Sequence, residues 1–586
     1  MNIIKLIRCD NKNKMITAAV GAAVGLTVFL VIYGFSALNP LNESFVLTGY
    51  LEKDIAQHYA GWKLFRNSPW QFPLGVGQNI EYPYGGSVSY TDSIPLFAIF
   101  FKLLSPVLPQ TFQYFGLFIC LCFVLQGVFG ALLVNLFTNC TIYCGLGAFL
   151  LCLSPVMTER AFRHCALTAH FIIIAALYYY FKNKKSCCIS YIPFYIINIA
   201  AITIHPYFLP FSFAIMFAFA VEDFFLAKNR IKSVLHVMAS IVITLVTGYC
   251  IGAFYNEGGM AILGYGYFSM NLNAFFNPVS KGFESENNWS AVLSDRPLFG
   301  GQIEGFNYLG IGIIIAIAIS AVLLIIKHRK DIVDFIKNHF GIIFSALCLT
   351  VFAVGDGVYY GGLLLFRYPL SQDIIIKYLN IFRGNGRFGW MLFYLLFLFA
   401  MYGISRYIGN KKLAAAALCI ICFIQLFDIG GVLLEKHNYF YNFSAENRQC
   451  AKTVAQHPFW EETVQQVDGV IEMQSEQGSM FGNGMIDIAS LCGEYDKYIN
   501  STFAARTSVD KRKDVIEYQK SLLAQGNWNN VLYIVEETKL FDSLIANGSC
   551  QAFEVDGQLV VIPAMYSDAE IAEFETLGSF KQIIIK

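Results

Sequence analysis

The chain has 586 residues, of which 56% are hydrophobic and 14% are charged, and its mean hydropathy is +0.52. Soluble domains carry about 25% charged residues, so this composition excludes an ordinary soluble protein and indicates a membrane protein. Its 41 basic and 41 acidic residues give a net charge of zero, and the lack of a basic block argues against a nucleic-acid partner.

The first predicted element is a membrane span from Met15 to Ser36, which follows the polar start MNIIKLIRCDNKNK. The run is long enough to cross a hydrocarbon core of about 30 Å. It is longer than the core of a signal peptide and has no clean small-x-small cleavage site, so we expect the span to be retained.

Apolar runs of similar length recur along the chain and predict about eleven membrane spans in total. They lie at residues 15–36, 112–137, 141–157, 165–181, 188–204, 206–222, 233–255, 308–326, 340–354, 388–406 and 413–432.

Basic clusters between these runs predict the orientation, because Lys and Arg are retained in cytoplasmic loops. With a cytoplasmic N-terminus, all five clusters lie on the cytoplasmic side of the membrane, provided that the segment 94–109 does not cross the membrane. That segment contains Lys102 and three prolines, which favours an interfacial or re-entrant helix. The clusters are Lys5/Arg8/Lys12/Lys14, Lys182/Lys184/Lys185, Lys228/Arg230/Lys232, Lys327/Arg329/Lys330 and Arg406/Lys411/Lys412.

This orientation places the long polar loops and the C-terminal part on the outside. The C-terminal part has a strand-like run VLYIVE (531–536), a helical segment, and a paired-strand pattern with a turn at Asp556-Gly557. We therefore predict an all-α polytopic membrane domain (1–434) with a large first external loop (37–93), followed by a small α/β extracytoplasmic domain (435–586).

The first external loop concentrates chemically useful side chains. Asp54, His58 and Trp62 are four residues apart and share one face if the segment is helical. Glu52 and Asp54 flank Lys53, and a carboxylate in this place could accept a proton from a hydroxyl or bind a divalent metal. The plain alternative is that these are solvated loop charges.

The same loop continues as a stretch rich in Gly, Pro and aromatics, and Asp92 lies near its end. Aromatic faces beside carboxylates suit sugar binding, although they also suit anchoring at the membrane interface.

Two external loops supply arginine clusters: TERAFRH, with Arg160, Arg163 and His164, and FRGNGRFGW, with Arg383 and Arg387. Arginine is always charged and matches phosphate with two parallel hydrogen bonds, so the clusters could hold a lipid-linked phosphate. The alternative is that they anchor to lipid headgroups.

Two further polar groups lie at the outer ends of spans. The stretch IEGFNYLG places Glu304, Asn307 and Tyr308 at the mouth of one span, and His205 lies between two others. A lone histidine is more often a packed residue than a catalyst, so its direct role is the weaker interpretation.

The motifs DIAQHYAGWKLFRNSPWQFPLG, YTDSIPL, RHCALTAH, HPYFLPF, EGFNYLG and GRFGW resemble an uncharacterised bacterial family of GT-C-like membrane proteins. An external acidic motif after the first span, interfacial helices and a C-terminal external domain are similar to the GT-C superfamily of polyprenyl-phosphate-sugar-dependent glycosyltransferases. The resemblance covers roughly residues 15–430.

The resemblance implies that Asp54 acts as base or acceptor anchor and that the arginines hold the phosphate leaving group. Many GT-C enzymes carry two adjacent acids, whereas Lys53 separates Glu52 from Asp54 here. The catalytic candidates are Asp54, Glu52, Asp92 and His58, and the substrate-binding candidates are Arg160, Arg163, His164, His205, Glu304, Asn307, Tyr308, Arg383, Arg387 and Trp62.

The sequence therefore predicts a glycosyltransferase of the plasma membrane that moves a sugar from a polyprenyl-phosphate donor to an extracytoplasmic cell-envelope glycan or lipid. A divalent cation (Mg or Mn) held by Asp54 and Glu52 is one alternative, and catalysis without a metal is the other. The alternative functions are a transporter or flippase for a lipid-linked substrate and a non-catalytic envelope assembly protein. Charge concentrated in external loops rather than in the spans favours the transferase.

Overall fold

The structure is a computed structural model that describes most of the chain. The described residues are 2–48, 54–186, 189–227, 230–255, 264–279, 288–327, 329–442, 455–474, 483–502, 504, 508–546 and 550–583.

The part up to residue 442 is helical apart from two short hairpins. Its helices are α1 (Asn2–Tyr33), α2 (Ser44–Thr48), α3 (Asp54–Asn67), α4 (Pro95–Leu103), α5 (Phe115–Asn135), α6 (Thr141–Cys152), α7 (Pro155–Arg160), α8 (Phe171–Lys185), α9 (Ile192–Ile204), α10 (Phe208–Glu222), α11 (Arg230–Cys250), α12 (Ile311–Lys327), α13 (Arg329–Asn338), α14 (Phe340–Val354), α15 (Gln372–Ile374), α16 (Trp390–Tyr407) and α17 (Lys411–Asn442). The hairpins pair β1 (Val76–Gly77) with β2 (Gly86–Ser87) and β3 (Gly357–Tyr360) with β4 (Leu363–Arg367).

Within the described residues, seven helical segments are long and apolar enough to cross a membrane, and the protein is a multi-pass membrane protein. These segments are Asn13–Tyr33, Phe115–Asn135, Cys165–Lys185, Phe208–Leu226, Arg230–Cys250, Asn385–Tyr407 and Lys411–Tyr441.

The predicted number of about eleven spans is not confirmed. Three of the predicted segments form helices of only 10–17 residues, Thr141–Cys152, Ile192–Ile204 and Ile311–Ile326. A fourth is bent by 83° between Ile332–Asn338 and Phe340–Val354, and counting it as one span gives eight. A span needs about 20 residues, and the apolar runs in the sequence include turn residues that do not lengthen the helices. The segment 94–109 forms the nine-residue helix α4, too short to cross, as predicted.

Helices α1 and α5 pack closely because their contact is made by glycines. A Cβ atom added to Gly21 would lie 2.3 Å from the carbonyl oxygen of Gly127, and one added to Gly25 would lie 2.1 Å from that of Phe123. Small residues spaced by four let two backbones approach in a membrane, where van der Waals contact replaces the hydrophobic effect.

The C-terminal part, residues 455–583, contains a six-stranded mixed sheet in the order β10-β8-β9-β7-β5-β6. Its elements are α18 (Pro458–Gln466), β5 (Gly469–Glu472), α19 (Asn483–Glu494), β6 (Tyr498–Ile499), α20 (Val509–Ala524), β7 (Val531–Val535), α21 (Thr538–Ile545), β8 (Cys550–Val555), β9 (Gln558–Pro563), α22 (Asp568–Thr576) and β10 (Phe580–Gln582).

The predicted strand, helix and hairpin of this part are confirmed as β7, α21 and the β8–β9 pair. The hairpin turn is Asp556-Gly557, with φ values of 48° and 78°, and two left-handed residues match the twist of the flanking strands. Strands β5, β6 and β7 are parallel to one another and are connected through helices, as an α/β arrangement requires.

The C-terminal part contacts helix α3 and the loop that follows it. Lys63 Nζ lies 3.4 Å from Glu494 Oε2, and Asn67 Nδ2 donates to the carbonyl of Gly493 over 2.7 Å. The ring of Tyr82 stacks on that of Tyr498 at 3.7 Å. Both parts therefore lie on the same side of the membrane, and α3 has the C-terminal part against its last turns.

Candidate active site

Helix α3 carries two of the predicted catalytic residues into one cleft. It begins at Asp54, and Oδ2 of Asp54 lies 3.1 Å from Nε2 of His164. One turn later His58 is almost fully buried, with 1% of its side chain exposed, whereas Asp54 is one-third exposed. The helical spacing of four residues places both on the same face of α3, as the sequence predicted.

Asp92 reaches the same cleft from a strained turn. Its φ is 53° and that of Ile94 is 56°, and the left-handed region is unfavourable for a β-branched residue. The turn is held against α3 because the hydroxyl of Ser93 donates to the backbone carbonyl of His58 over 2.7 Å. The hydroxyl of Tyr114 in turn donates to the backbone carbonyl of Ser93. Strain that the surroundings maintain is a frequent property of functional sites.

Gly61 permits this contact. A Cβ atom at position 61 would lie 2.3 Å from Oγ1 of Thr91 and 2.7 Å from Oγ of Ser93, so only glycine lets α3 approach the turn this closely.

Three histidines surround the two carboxylates. His205 Nε2 lies 3.1 Å from Asp92 Oδ1, and His58 Nε2 lies 4.0 Å from Asp92 Oδ2. The Nδ1 atom of His205 accepts a hydrogen bond from the backbone N–H of Tyr207 over 3.1 Å, so its hydrogen is on Nε2 and is donated to Asp92.

The electrostatics keep Asp92 ionised and favour the neutral forms of His58 and His164. Burial alone would raise the pKa of Asp92, but the neighbouring His205, His58 and His164 together hold it below its usual range. Burial lowers the pKa of His58 to about 4, against the opposing effect of Asp92. Burial, assisted by nearby arginines, holds the pKa of His164 well below its usual value.

A second charged group in the lining of the cleft is built around Glu304. Its carboxylate accepts from Nη2 of Arg160 at 3.0 Å and from Nη2 of Arg387 at 2.8 Å. Burial would raise the pKa of Glu304, but the guanidinium groups of Arg160 and Arg387 outweigh it and hold the pKa well below its usual range. Arg160 and Arg163 also pair with Glu159. Three arginines are therefore paired with two carboxylates, which leaves one net positive charge in this group.

Arg383 differs from Arg160, Arg163 and Arg387, because it makes no ion pair or hydrogen bond within the described residues. The backbone beside it is fixed: the N–H of Gly384 donates to the hydroxyl of Tyr207 over 2.8 Å. The side chain of Asn385 donates to the carbonyl of Ala353 over 3.0 Å. The lining of the cleft thus includes a positive group without an ion-pair partner among the described residues.

The cleft has a volume of about 210 Å³. Its lining residues are Asp54, Gln57, His58, Asp92, His164, Phe268, Glu304, Arg383, Gly384 and Arg387. Arg160 and His205 lie directly behind this lining, each bonded to one of its carboxylates.

The structure does not bring Trp62 into the cleft, contrary to the sequence hypothesis. The side chain is fully buried, and its indole N–H donates to the carbonyl of Phe112 over 3.2 Å. Eight residues along an α-helix turn the side chain by about 80°, which moves position 62 away from the direction of Asp54.

Three other predicted site residues are also not in the lining. Tyr308 is fully buried and donates to Asp428 over 2.6 Å, and Asn307 donates to the carbonyl of Gly305 over 2.9 Å. These hydrogen bonds stabilise the backbone around residues 305–308 and give the two side chains a structural role. Arg163 is buried beside Glu159, while Glu52 lies outside the described residues.

Sequence reasoning missed Gln57 and Phe268, which both line the cleft. Gln57 is three residues after Asp54, so the helical spacing was a usable signal. Phe268 is in a loop with no motif around it, and nothing in the sequence distinguishes it from other aromatics.

Three side chains offer a donor set for a metal ion. One ligand atom from each of His58, Asp92 and His164 lies within 4.8 Å of the others. This group shares no residue with the predicted metal pair, Asp54 and Glu52.

The chain resembles solved structures of the oligosaccharyltransferase of Archaeoglobus fulgidus at low identity. One is its complex with Zn and sulfate (TM-score 0.40, 12% identity, 93% of this chain and 73% of that chain). Another is AglB with an inhibitory peptide and a dolichol-phosphate (TM-score 0.44, 10% identity, 94% and 74%). A third is the apo form (TM-score 0.40, 11% identity, 94% and 75%). At these scores the likeness does not establish a shared fold or activity.

No curated protein matches the sequence. A family model described as a domain of unknown function (DUF6311) matches residues 22–430. The match includes every residue that lines the cleft and extends over more than half of the chain. The chain therefore belongs to the DUF6311 family.

Proposed function

We propose that the chain is a membrane glycosyltransferase that moves a sugar from a polyprenyl-phosphate donor to an extracytoplasmic acceptor. One observation carries the proposal: a single cleft is lined by Asp54, Asp92 and Arg383, although these residues are far apart in the sequence. Carboxylates beside an uncompensated guanidinium suit a reaction in which a hydroxyl loses a proton and a phosphate leaves.

The two carboxylates suit different roles. Asp54 is one-third exposed and lies beside the imidazole of His164, so it is the more accessible of the two carboxylates to an acceptor hydroxyl. Asp92 is more buried and its pKa is held down, so it stays ionised and is a weak base. We assign proton acceptance to Asp54 and stabilisation of positive charge on the sugar ring to Asp92.

The arginines suit the leaving group. A lipid phosphate leaves already ionised and needs positive charge rather than an acid. The charge of Arg387 is shared with Glu304, so Arg383 is the main candidate contact to the phosphate.

A divalent cation is a further part of the proposal. Two imidazoles and one carboxylate suit Mn or Zn better than Mg, which prefers oxygen ligands. His58, Asp92 and His164 would hold the ion, and a bound ion would supply positive charge beside the phosphate. Mn(II) titrated into the purified protein and followed by electron paramagnetic resonance should bind to wild type and lose affinity in Asp92→Asn. Equal affinity of both proteins for Mn(II) would show that the ion does not bind at this site.

The function is tested by mass spectrometry of envelope glycans and lipid-linked sugars in cells that carry wild type or Asp54→Asn. We expect the substitution to remove one sugar from a glycan and to make its lipid-linked donor accumulate. The matched control is Asp510→Asn, the same chemical change at an exposed position of α20.

The result that contradicts the proposal is also defined. If Asp54→Asn is present in the membrane at wild-type amounts and both profiles are unchanged, the chain does not transfer a sugar through Asp54. Movement of a lipid-linked sugar across the membrane without a new product would favour the transporter.

A further inference from the structure

The external segment between α14 and α16 exposes apolar side chains on both faces of a strand. In β4, Leu363 is 64% exposed, Leu364 43%, Leu365 50% and Phe366 49%. Successive side chains of a strand point to opposite faces, so neither face of β4 is covered. In water, an antiparallel hairpin has an apolar face only where it packs on a core.

The exposure continues into the next segment. Ile374 is 44% exposed, Ile376 54%, Tyr378 60% and Ile381 48%. We call Leu363–Phe366 together with these four residues the outer apolar surface. Such a large exposed patch marks an interaction site rather than a solvated loop.

The surface is continuous with the membrane-spanning helices. It follows α14, whose exposed residues Phe344, Leu347 and Val351 show 67%, 56% and 61% exposure, as lipid-facing side chains do. It ends just before the span Asn385–Tyr407. The surface thus begins and ends where the chain meets the bilayer.

We propose that the outer apolar surface lies in the outer leaflet of the bilayer and that its partner is membrane lipid. Tyr368 and Tyr378 are 44% and 60% exposed beside Lys377 and Arg367, and tyrosine with basic residues is typical of the membrane interface. Within the described residues β4 pairs only with β3, so its other edge keeps free backbone groups. These groups place the hairpin at the headgroup level, because open strand edges do not occur in the hydrocarbon core.

The hairpin is held in place on its inner side. The ring of Tyr359 stacks on that of Phe299 at 4.5 Å with an angle of 8° between their planes. The amide of Asn271 exchanges hydrogen bonds of 2.9 and 3.0 Å with the backbone of Gly361. The surface is therefore a fixed part of the fold. In the bilayer it would hold Arg383, two residues after Ile381, at the depth of the lipid phosphates. This placement does not depend on the proposed reaction.

A photoreactive benzophenone side chain tests the proposal. It replaces Phe366 in one protein and Tyr378 in another, and each full-length protein is placed in vesicles of phosphatidylethanolamine and phosphatidylglycerol. Phe423 on α17, 73% exposed, is the lipid-facing control, and Tyr518 on the highly charged helix α20, 60% exposed, is the water-facing control. The cross-linked products are identified by mass spectrometry.

We expect phospholipid adducts at positions 366 and 378, at a yield within about threefold of position 423, and none at 518. Cross-links between two copies of the chain would instead make this surface a dimer interface and overturn the proposal. A lipid adduct at 423 with none at 366 and 378 would place the surface in water and also overturn it. A substitution at Ile376 repeats the test if either variant does not insert.

Discussion

Gly61 sets the distance between helix α3 and the turn that carries Asp92. The space for a side chain is already filled by Thr91 and Ser93, since an added Cβ would lie only 2.3 Å from Oγ1 of Thr91. A single methyl group would therefore move the turn and with it a carboxylate of the candidate site.

We expect Gly61→Ala to lower kcat by on the order of 100-fold, because a displacement of about 1 Å is enough for such a loss. Overpacking should lower the free energy of unfolding by about 1–3 kcal/mol. Gly430→Ala is the matched control, since a Cβ at position 430 has nothing within 4 Å. Wild-type kcat in a folded Gly61→Ala protein would show that the position of the turn does not matter.

Arg383 and Glu304 should respond differently to removal of charge. Arg383 has no ion pair in the described part of the chain, so Arg383→Gln should change the free energy of unfolding by less than about 0.5 kcal/mol. Loss of a charge-assisted contact should raise the KM for a lipid-phosphate donor about 10- to 100-fold.

Glu304→Gln should instead destabilise the protein by about 3 kcal/mol, because it leaves two buried guanidinium groups without their shared carboxylate. Thermal unfolding and donor kinetics of both variants separate the two effects. A large loss of stability in Arg383→Gln would assign that arginine to the scaffold.

At the scale of elements, the contact between the loop after α3 and the C-terminal part contains a half-buried acid, Glu81. Glu81 accepts from the hydroxyl and the backbone N–H of Thr502 at 2.8 and 3.1 Å. Burial raises its pKa despite the opposing influence of Arg512 and of these two hydrogen bonds. The protonated form of Glu81 is therefore favoured in the docked state relative to the free loop.

This shift predicts the direction of a pH effect. The contribution of Glu81 to the stability of this contact is full below the ordinary pKa of the carboxyl group. It is lost as pH rises through the raised pKa. We expect hydrogen exchange at the Thr502 amide, corrected for intrinsic rate, to become faster as pH rises from 5 to 8. Glu81→Gln keeps the accepting oxygen without a charge. In this variant, the Thr502 amide should be better protected from exchange at pH 8 than in wild type, and its protection should depend less on pH. An equally steep dependence in Glu81→Gln would assign the effect to another group.

At the scale of the whole molecule, the contacts between α3 and the C-terminal part place the cleft and the sheet on one side of the membrane. The distribution of basic residues predicts that this side is the outside. We expect green fluorescent protein fused after Lys412 to fluoresce in a bacterial host, and alkaline phosphatase fused after Lys586 to be active. A fluorescent fusion after Lys586 would invert the orientation.

The sequence predicted the parts of the fold that depend on residues adjacent to one another in the chain. Apolar runs located the helices, and the Asp556-Gly557 turn located a hairpin. The predicted number of spans is not confirmed, because hydropathy does not mark where a helix ends. Strands β5 and β6, of four and two residues, are too short to predict without the sheet that surrounds them.

The same distinction applies to the candidate site. The spacing of Asp54 and His58 and the two arginine motifs came from local patterns, and these residues meet in the cleft. The pairing of Asp92 with His205 and the role of Glu304 as shared counter-ion join distant parts of the chain. Such contacts are set by tertiary packing, which a single sequence does not reveal.

Helix α3 has Asp54 at one end and, near the other, Lys63 and Asn67 in contact with the C-terminal part. Deletion of residues 455–583 would uncover one side of the helix that positions the proposed base. A shortened chain would then lose turnover although every group in the cleft is intact, and it would imitate a substitution of Asp54. Restored turnover on adding the missing part as a separate polypeptide would distinguish lost support from lost chemistry.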